Sequence, residues 1–532
     1  MYSSYTTLQR AQLAKQEYLD TQEVFLGVYA PGRNAALKAS LQNQLHRKFL
    51  LTDSLRPEAL GSAVGVLLVR EDLFLMPTAL SCFADALRSG ADYVTSDAVF
   101  GYSGVTTLYH SQGFAACSGC ALVSRELLRR CQAEARDPEN PVELLTLAAK
   151  LSRSHVCLPL ALAHYERDIC AEDVWSVKGK RVFIMSHLLD MTGAPIVLVS
   201  AVPVLRSMGY EVVVLGPEDG GSMPLFLEAG ATVITRKGCV QSPLLWGLAL
   251  CADFVLANTV VEARAVRALS GARVPVLWWL HDAFAGYPHI AHQIPRELGE
   301  NIRLYSVGSH AANAMHSVRP EFNIRPLIYG LPDYAAEKFS HYDLSYAGGR
   351  PLFATVGSFE NRKGQDIFCK AIRLLPPETM KKASFLFVGK AAEAEMMDAV
   401  RSLTADCPDN VFYVKRLTRD EIKSLMAQCT CLVCASRDDP MPTFVTEGLI
   451  FGKPAIVSEH TGTAGLITEG VDGFVYEDDD PEKLAERLAW ATEHPEKLAA
   501  MRPAYRELYE SHYSKQAFSD SLQQAVKELT GE

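Results

Sequence analysis

Two carboxylates with seven residues between them carry the strongest chemical signal in this sequence. In SRDDPMPTFVTEGLIFGKPAIV, residues 436–457, Asp439 is followed after seven residues by Glu447. Glu447 is expected to open an apolar helix that ends at Gly452, and Lys453-Pro454 then lead into a short strand, AIV. The apolar run CTCLVCAS just before reads as another strand, so the order is strand, loop, helix, turn, strand. A helix start presents unpaired N–H groups and the positive end of its dipole, which favours an anion. Carboxylates repel phosphate but accept hydrogen bonds from sugar hydroxyls. An anion cradle beside two hydroxyl acceptors suits a nucleotide-sugar. Asp438 reads as part of a solvated acidic loop.

Three further stretches put reactive side chains just after apolar runs. In TVGSFENRKGQD, residues 355–366, a strand ends at Gly357, Ser358 follows, Arg362 and Lys363 supply two cations, and Gly364 opens a helix. Cations and a close-approach glycine after a strand suit a pyrophosphate, and an exposed basic pair is the plain alternative. In MSHLLDMTGAPIVLVSAV, residues 185–202, Gly193 sits in a small-residue loop between a strand and a helix. In VLWWLHDAF, residues 276–284, His281 should lie at the carboxyl end of an apolar strand. Trp278 and Trp279 alternate faces, so one is expected in the core and the other beside the acceptor.

The elements that must position these groups are βα repeats. From Lys180, RVFIMS, EVVVL, ATVIT, DFVLA, VPVLWWL and RLYSVGS read as strands separated by helices, and a polar stretch near 337–351 reads as a linker. A second series follows: LFATVGS, ASFLFVG, NVFYVK, CLVCAS, PAIVS and GFVY. Strands without polar alternation, each followed by a helix, indicate parallel sheets covered on both faces, with ligands at the carboxyl ends of the strands and in the cleft between domains. The chain has 532 residues, 48% hydrophobic and 21% charged, so several domains of ordinary globular composition are expected. A net charge of −10 argues against nucleic acid as partner. The polar N-terminus and the absence of a long uncharged apolar stretch suggest a cytoplasmic protein, compatible with peripheral contact at the inner face of a membrane. Thirteen cysteines, an odd count, are expected to be reduced, and the CxxC pairs Cys117/Cys120 and Cys431/Cys434 read as buried thiols rather than a zinc site. No metal and no cofactor are expected, and the lack of GxGxxG argues against a dinucleotide enzyme.

Residues 180–500 resemble a GT-B retaining glycosyltransferase of family 4, whose mark is an acid, seven residues, Glu, an apolar helix and Gly-x-Pro; here it reads D439-PMPTFVT-E447-GLIFGKP. The resemblance implies that Glu447 binds the ribose and Asp439 the donor-sugar hydroxyls, with Asp standing where Glu is usual. It also implies that amides at Thr443, Phe444 and Val445 face the diphosphate. Lys363 matches the family's lysine; the usual arginine position after Gly357 is Ser358, and Arg362 is expected to supply that cation. His281 would contact the transferred sugar, and the Gly193 loop would let donor and acceptor approach the backbone. YSVGSH at 305–310 and the segment around Tyr329-Gly330 are expected to be scaffold. The implied activity is metal-independent transfer of a hexose-like sugar, with retention, from a nucleotide-sugar to a glycan or lipid-linked acceptor in polysaccharide biosynthesis. A nucleotide-sugar epimerase or a phosphorylase on the same fold, and a non-catalytic glycan-binding scaffold, are the alternatives.

Residues 1–175 resemble fragments of a GT-A family 2 glycosyltransferase, in VFLGVYAPGRNAALKASLQNQ, LLVREDLFLMPTALSCFADALRSGADYVTSDAVF and GCALVSRELL. That family holds a divalent metal with Asp-x-Asp; this chain has Arg70-Glu71-Asp72, and Glu143 is a remnant candidate for the base. Helical periodicity dominates after Arg125. The expected architecture is α/β: two Rossmann-like doubly wound domains, 176–345 and 346–532, preceded by a small, truncated GT-A-like module, 1–175, that serves acceptor binding or assembly without catalysis.

Overall fold

The computed structural model describes residues 24–32, 34–69, 72–102, 105–110, 120–175, 179–239, 247–407, 409–477 and 479–532. Arg70, Glu71 and Cys117 therefore lie outside the described residues. The chain forms two compact units, residues 1–257 with 264–276, and residues 258–263 with 277–532.

The first unit begins with β1 (Leu26–Tyr29), β2 (Phe49–Thr52), β3 (Gly65–Val69), β4 (Phe74–Leu75), β5 (Tyr93–Tyr102), β6 (Val105–His110), β7 (Cys120–Ser124) and β8 (His155–Tyr165). It continues with β9 (Lys180–Ser186), β10 (Tyr210–Gly216), β11 (Thr232–Thr235) and β12 (Phe254–Asn258). Their order is β12-β9-β10-β11-β6-β5-β7-β3-β1-β2, with β8 pairing β5 and β4. Strands β9, β10 and β11 are parallel, in keeping with the apolar runs at their centres. At β11 the direction reverses: Val233, Ile234 and Thr235 pair antiparallel with His110, Tyr109 and Leu108. The sheet thus runs unbroken through the boundary expected at residue 175.

Within the N-terminal part, the helices Arg125–Glu134 and Pro141–Leu151 bury Leu127, Leu128, Leu144 and Leu145 against Val66, Leu68 and Val123. Ser124 and Asn140 cap them through their side chains. The helical trend after Arg125 ends there, because HVCLPLALAHY forms the eleven-residue strand β8. A continuous apolar run carries no period, and pairing with β5 decides its conformation.

The second unit opens with β13 (Val276–Leu280), β14 (Ile302–Ser306) and β15 (Ile324–Pro326). A separate parallel sheet follows: β16 (Leu352–Val356), β17 (Ser384–Val388), β18 (Val411–Val414), β19 (Cys431–Cys434), β20 (Ala455–Ser458) and β21 (Phe474–Tyr476). Its order is β18-β17-β16-β19-β20-β21. In sequence ranks this is 3-2-1-4-5-6, the doubly wound arrangement whose order reverses between the first and fourth strands. The loops after β16 and β19 therefore emerge side by side. Phe353, Phe385, Phe387 and Val433 form the core with Ile367, Phe368, Leu484 and Leu488 of the covering helices. Cys431 and Cys434 are buried in β19, and burial pushes the Cys434 thiol up to about 11.

Candidate functional site

The loop after β16 is shaped by its contact with β19. Gly357 N–H donates to Val388 O at 2.9 Å, a one-turn 3-10 helix covers Asn361–Lys363, and Gly364 takes φ 63° before the helix Gln365–Leu374. A Cβ on Gly364 would lie 1.9 Å from Ala435 O, so both backbone angle and space demand glycine there. Arg437 forks onto Asp366 at 2.9 and 2.8 Å and clamps the two loops together. On Gly357 a Cβ would meet only Lys363 Cε, at 4.0 Å, which leaves that side of the lysine open.

This clamp brings Lys363 to Asp439, with Nζ 2.6 Å from Oδ2. The Asp439 side chain is 5% exposed and that of Lys363 18%. Asp439 is further held by its own amide on His460 O, and its carbonyl receives Gly462 N–H. Arg362 turns elsewhere: Nη2 lies 3.0 Å from Glu360 Oε1, which also accepts from Ser358 Oγ at 2.8 Å. Glu360, absent from the sequence expectation, therefore neutralises the cation assigned to replace the family's arginine.

The helix after Asp439 spans Thr443–Ile450, so it starts four residues earlier than expected and Glu447 stands one turn inside it. Pro442 precedes it without a side-chain cap. The amides of Thr443 and Phe444 precede the helix's own bonding pattern, whereas Val445 N–H already donates to Pro442 O at 3.0 Å. Glu447 is buried yet ionically paired: its Oε1 lies 2.7 Å from Arg419 Nη2. Arg419 also donates to Tyr334 Oη at 2.9 Å and lies over that ring, 5.3 Å from its centroid. Burial pulls the Arg419 guanidinium down, but Glu447 and Tyr334 outweigh it and hold it above its usual value. Arg419 and Tyr334 went unrecognised in the sequence. The signal was the capping box Thr418/Glu421, which fixes Arg419 at the first position of its helix.

Asp438 departs from the solvated loop expected of it. Its carboxylate accepts from His310 Nε2 at 2.7 Å and from the amides of Phe284 and Ala285 at 3.1 and 2.9 Å. Burial pushes this carboxyl up, and those three donors outweigh it, leaving it below the ordinary value. His310, read as scaffold, thus ties the helix Ser309–His316 after β14 to the acidic pair.

His281 follows β13 directly and is half-buried, its ring 4.6 Å from that of Trp279. Its neighbour Asp282 accepts from Val260 N–H at 2.6 Å, and removal of its carboxyl from water pushes it up to about 6. Three residues on, Phe284 and Ala285 bind Asp438, so the loop bearing His281 is fixed to the residue beside Asp439. Neither tryptophan faces an acceptor. Both are fully buried, Trp278 donating to Thr259 O at 2.7 Å and Trp279 to Leu327 O at 2.9 Å. Each indole found a backbone acceptor, which allows both faces of β13 to be core.

In the first unit, Gly193 is the first residue of the helix Gly193–Ser207, and a Cβ there would meet nothing within 4 Å. The GT-A-type acids are otherwise employed. Asp72 accepts from the amides of Ala36 and Leu37, and Glu143 from those of Arg136 and Asp137. Among the described residues no group of three His, Cys, Asp or Glu could hold a metal ion, and no helix is long and apolar enough to cross a membrane.

Residues 178–313 match the model for glycosyl-transferase family 4, and residues 338–508 that for glycosyl transferases group 1. An uncharacterized glycosyltransferase of Methanocaldococcus jannaschii is 26% identical over 136 residues, 25% of this chain and 36% of that protein. Spore coat protein SA of Bacillus subtilis is 24% identical over 184 residues, 33% and 48% of the respective chains. This chain thus spans less than half the length of either relative. Among solved structures, Anabaena HepE in complex with UDP and glucose aligns with a TM-score of 0.54 at 16% identity, covering 66% of this chain and 100% of that one. That likeness bears on the fold. The chain thus carries a segment like glycosyl-transferase family 4 followed by one like glycosyl transferases group 1, on a fold similar to the GT-B fold.

Proposed function

We propose that the chain transfers a sugar from a nucleotide-sugar to a hydroxyl of a glycan or lipid-linked acceptor, with retention at the anomeric carbon and without a metal. The observation that carries this reading is the Lys363–Asp439 pair at the switch point of the sheet, one loop ahead of the helix that bears Glu447. A diphosphate beside Lys363 would compete with Asp439 for the ammonium and release that carboxylate to accept from sugar hydroxyls. The Thr443 and Phe444 amides would add dipolar stabilisation of the leaving diphosphate, fixed before the reaction begins. Glu447 would take the ribose hydroxyls, with Arg419 orienting its carboxylate. His281 would contact the transferred sugar, and Gly193 would leave room for donor and acceptor. The acceptor hydroxyl would attack on the leaving-group face and pass its proton to a phosphate oxygen, so no side chain need act as base. HepE, solved with UDP and glucose, makes uridine donors the first to try.

The test is a panel of nucleotide-sugars, scored for nucleotide release and for the anomeric configuration of the product, with wild type and Glu447→Ala. Release by wild type alone, with retained configuration, supports the reading. Inversion would remove the retaining mechanism, free epimerised sugar would indicate an epimerase, and binding without turnover on any acceptor would favour a scaffold.

A further inference from the structure

His110, the last residue of β6, is 1% exposed and stands between two carboxylates. Its Nδ1 lies 2.7 Å from Asp97 Oδ2 on β5, and its Nε2 lies 3.2 Å from Asp219 Oδ1. A ring with a carboxylate at each nitrogen donates from both, which only the imidazolium can do. Burial pulls its pKa down, but the two acids outweigh that and raise it to about 10. Asp97 belongs to the N-terminal module, whereas Asp219 lies in the loop after β10 and accepts a second bond from Thr235 Oγ1 at 2.7 Å. A second tie crosses the same junction, Arg236 Nη1 to Asp168 Oδ1 at 3.4 Å.

The loop that His110 holds supports another. Ser222 N–H donates to Leu189 O at 2.9 Å. A Cβ on Gly220 would come 2.2 Å from that same oxygen, and one on Gly216 would come 2.5 Å from Leu189 Cγ. Leu189 therefore sits directly on the backbone after β10. From it the chain passes through Asp190, whose carboxylate accepts the Thr192 amide at 3.1 Å, to Gly193. The contacts run from Asp97 through His110, Asp219 and Gly220 to Leu189 and the loop 189–193.

We infer that the N-terminal module is a positioning element for the loop 189–193, and that His110 is the positioning residue through which it acts. The role of that loop in the approach of donor and acceptor rests on the proposed function; the coupling itself does not. A module joined only by strand pairing would stiffen β11. The ion cluster instead reaches past the end of the sheet to the loop where Gly193 begins its helix.

The test uses the full chain with His110→Gln and Asp219→Asn, read by hydrogen exchange and by steady-state kinetics. Amides of residues 187–193 and 217–223 should exchange about tenfold faster in both variants, while those of residues 438–447 stay unchanged. The KM for acceptor should rise several-fold, with donor hydrolysis and kcat nearly constant. If His110→Gln does not fold, Asp219→Asn and Thr235→Val, which weaken the same link by one bond each, give the reading. Faster exchange confined to residues 93–110, or spread evenly over the chain, would overturn the inference. An unchanged acceptor KM would overturn it as well. Should wild type turn over no nucleotide-sugar, the proposed function falls while the exchange result still decides the coupling.

Discussion

The ammonium of Lys363 and the carboxylate of Asp439 meet at 2.6 Å although 76 positions separate them in the chain. The pair exists because β16 and β19 are neighbours, and because Gly364 lets one loop pass against the end of the other strand. Lys363→Ala should lower kcat/KM for the donor by about 10- to 100-fold, the loss of one charge-assisted hydrogen bond. It should also lower the unfolding midpoint, since Asp439 is left buried without a counter-ion. Steady-state kinetics and thermal unfolding check the two parts separately.

Gly364→Ala asks for a Cβ where Ala435 O already stands, 1.9 Å away, in a left-handed conformation. Destabilisation by more than about 2 kcal/mol is expected, read by denaturant unfolding. Gly193→Ala, with open space around the Cβ, should fold normally.

Arg419 is half-exposed while its partner Glu447 is not. Arg419→Ala should therefore lower the unfolding midpoint, since Glu447 is left buried without its counter-ion. Nucleotide affinity should fall several-fold, because Glu447 loses the cation that orients it. Calorimetric titration with nucleoside diphosphates measures this, and Arg419→Lys should restore only part of the affinity, lacking the planar fork.

Asp438, its carboxyl held below the ordinary value, contributes stability that is present above about pH 4 and lost as pH falls through its folded pKa. His110 has the opposite sign. Its folded pKa of about 10 lies above the ordinary 6.5, so its contribution is complete below about pH 6.5 and disappears as pH rises towards 10. Unfolding midpoints of wild type should fall on both limbs. Asp438→Asn should flatten the acid limb and His110→Gln the alkaline one.

The repeat of apolar strands and helices was legible because buried parallel strands cannot alternate with polar residues, and that pattern alone placed Lys363, Asp439 and Glu447 after strands. What the pattern could not carry was pairing between loops. Arg419 meeting Glu447 and His310 meeting Asp438 depend on which strands are adjacent, and no local spacing records that. The two tryptophans illustrate a different limit. Alternation assigned them opposite faces, but whether a face is covered depends on partners such as Phe518, stacked 5.7 Å from Trp279. The helix start at Thr443 was misplaced by one turn because Glu447 is an acid inside an apolar helix, where its partner Arg419 lies 28 positions earlier.

Equilibrium binding of nucleoside diphosphates and their sugar conjugates to the full chain, compared across wild type, Lys363→Ala and Glu447→Ala, tests the central claim most directly. The account predicts saturable binding of at least one nucleotide to wild type. Lys363→Ala should weaken diphosphates far more than nucleosides, and Glu447→Ala should weaken ribonucleotides far more than their deoxy counterparts. Equal affinity in all three proteins, or no binding to wild type, would contradict it.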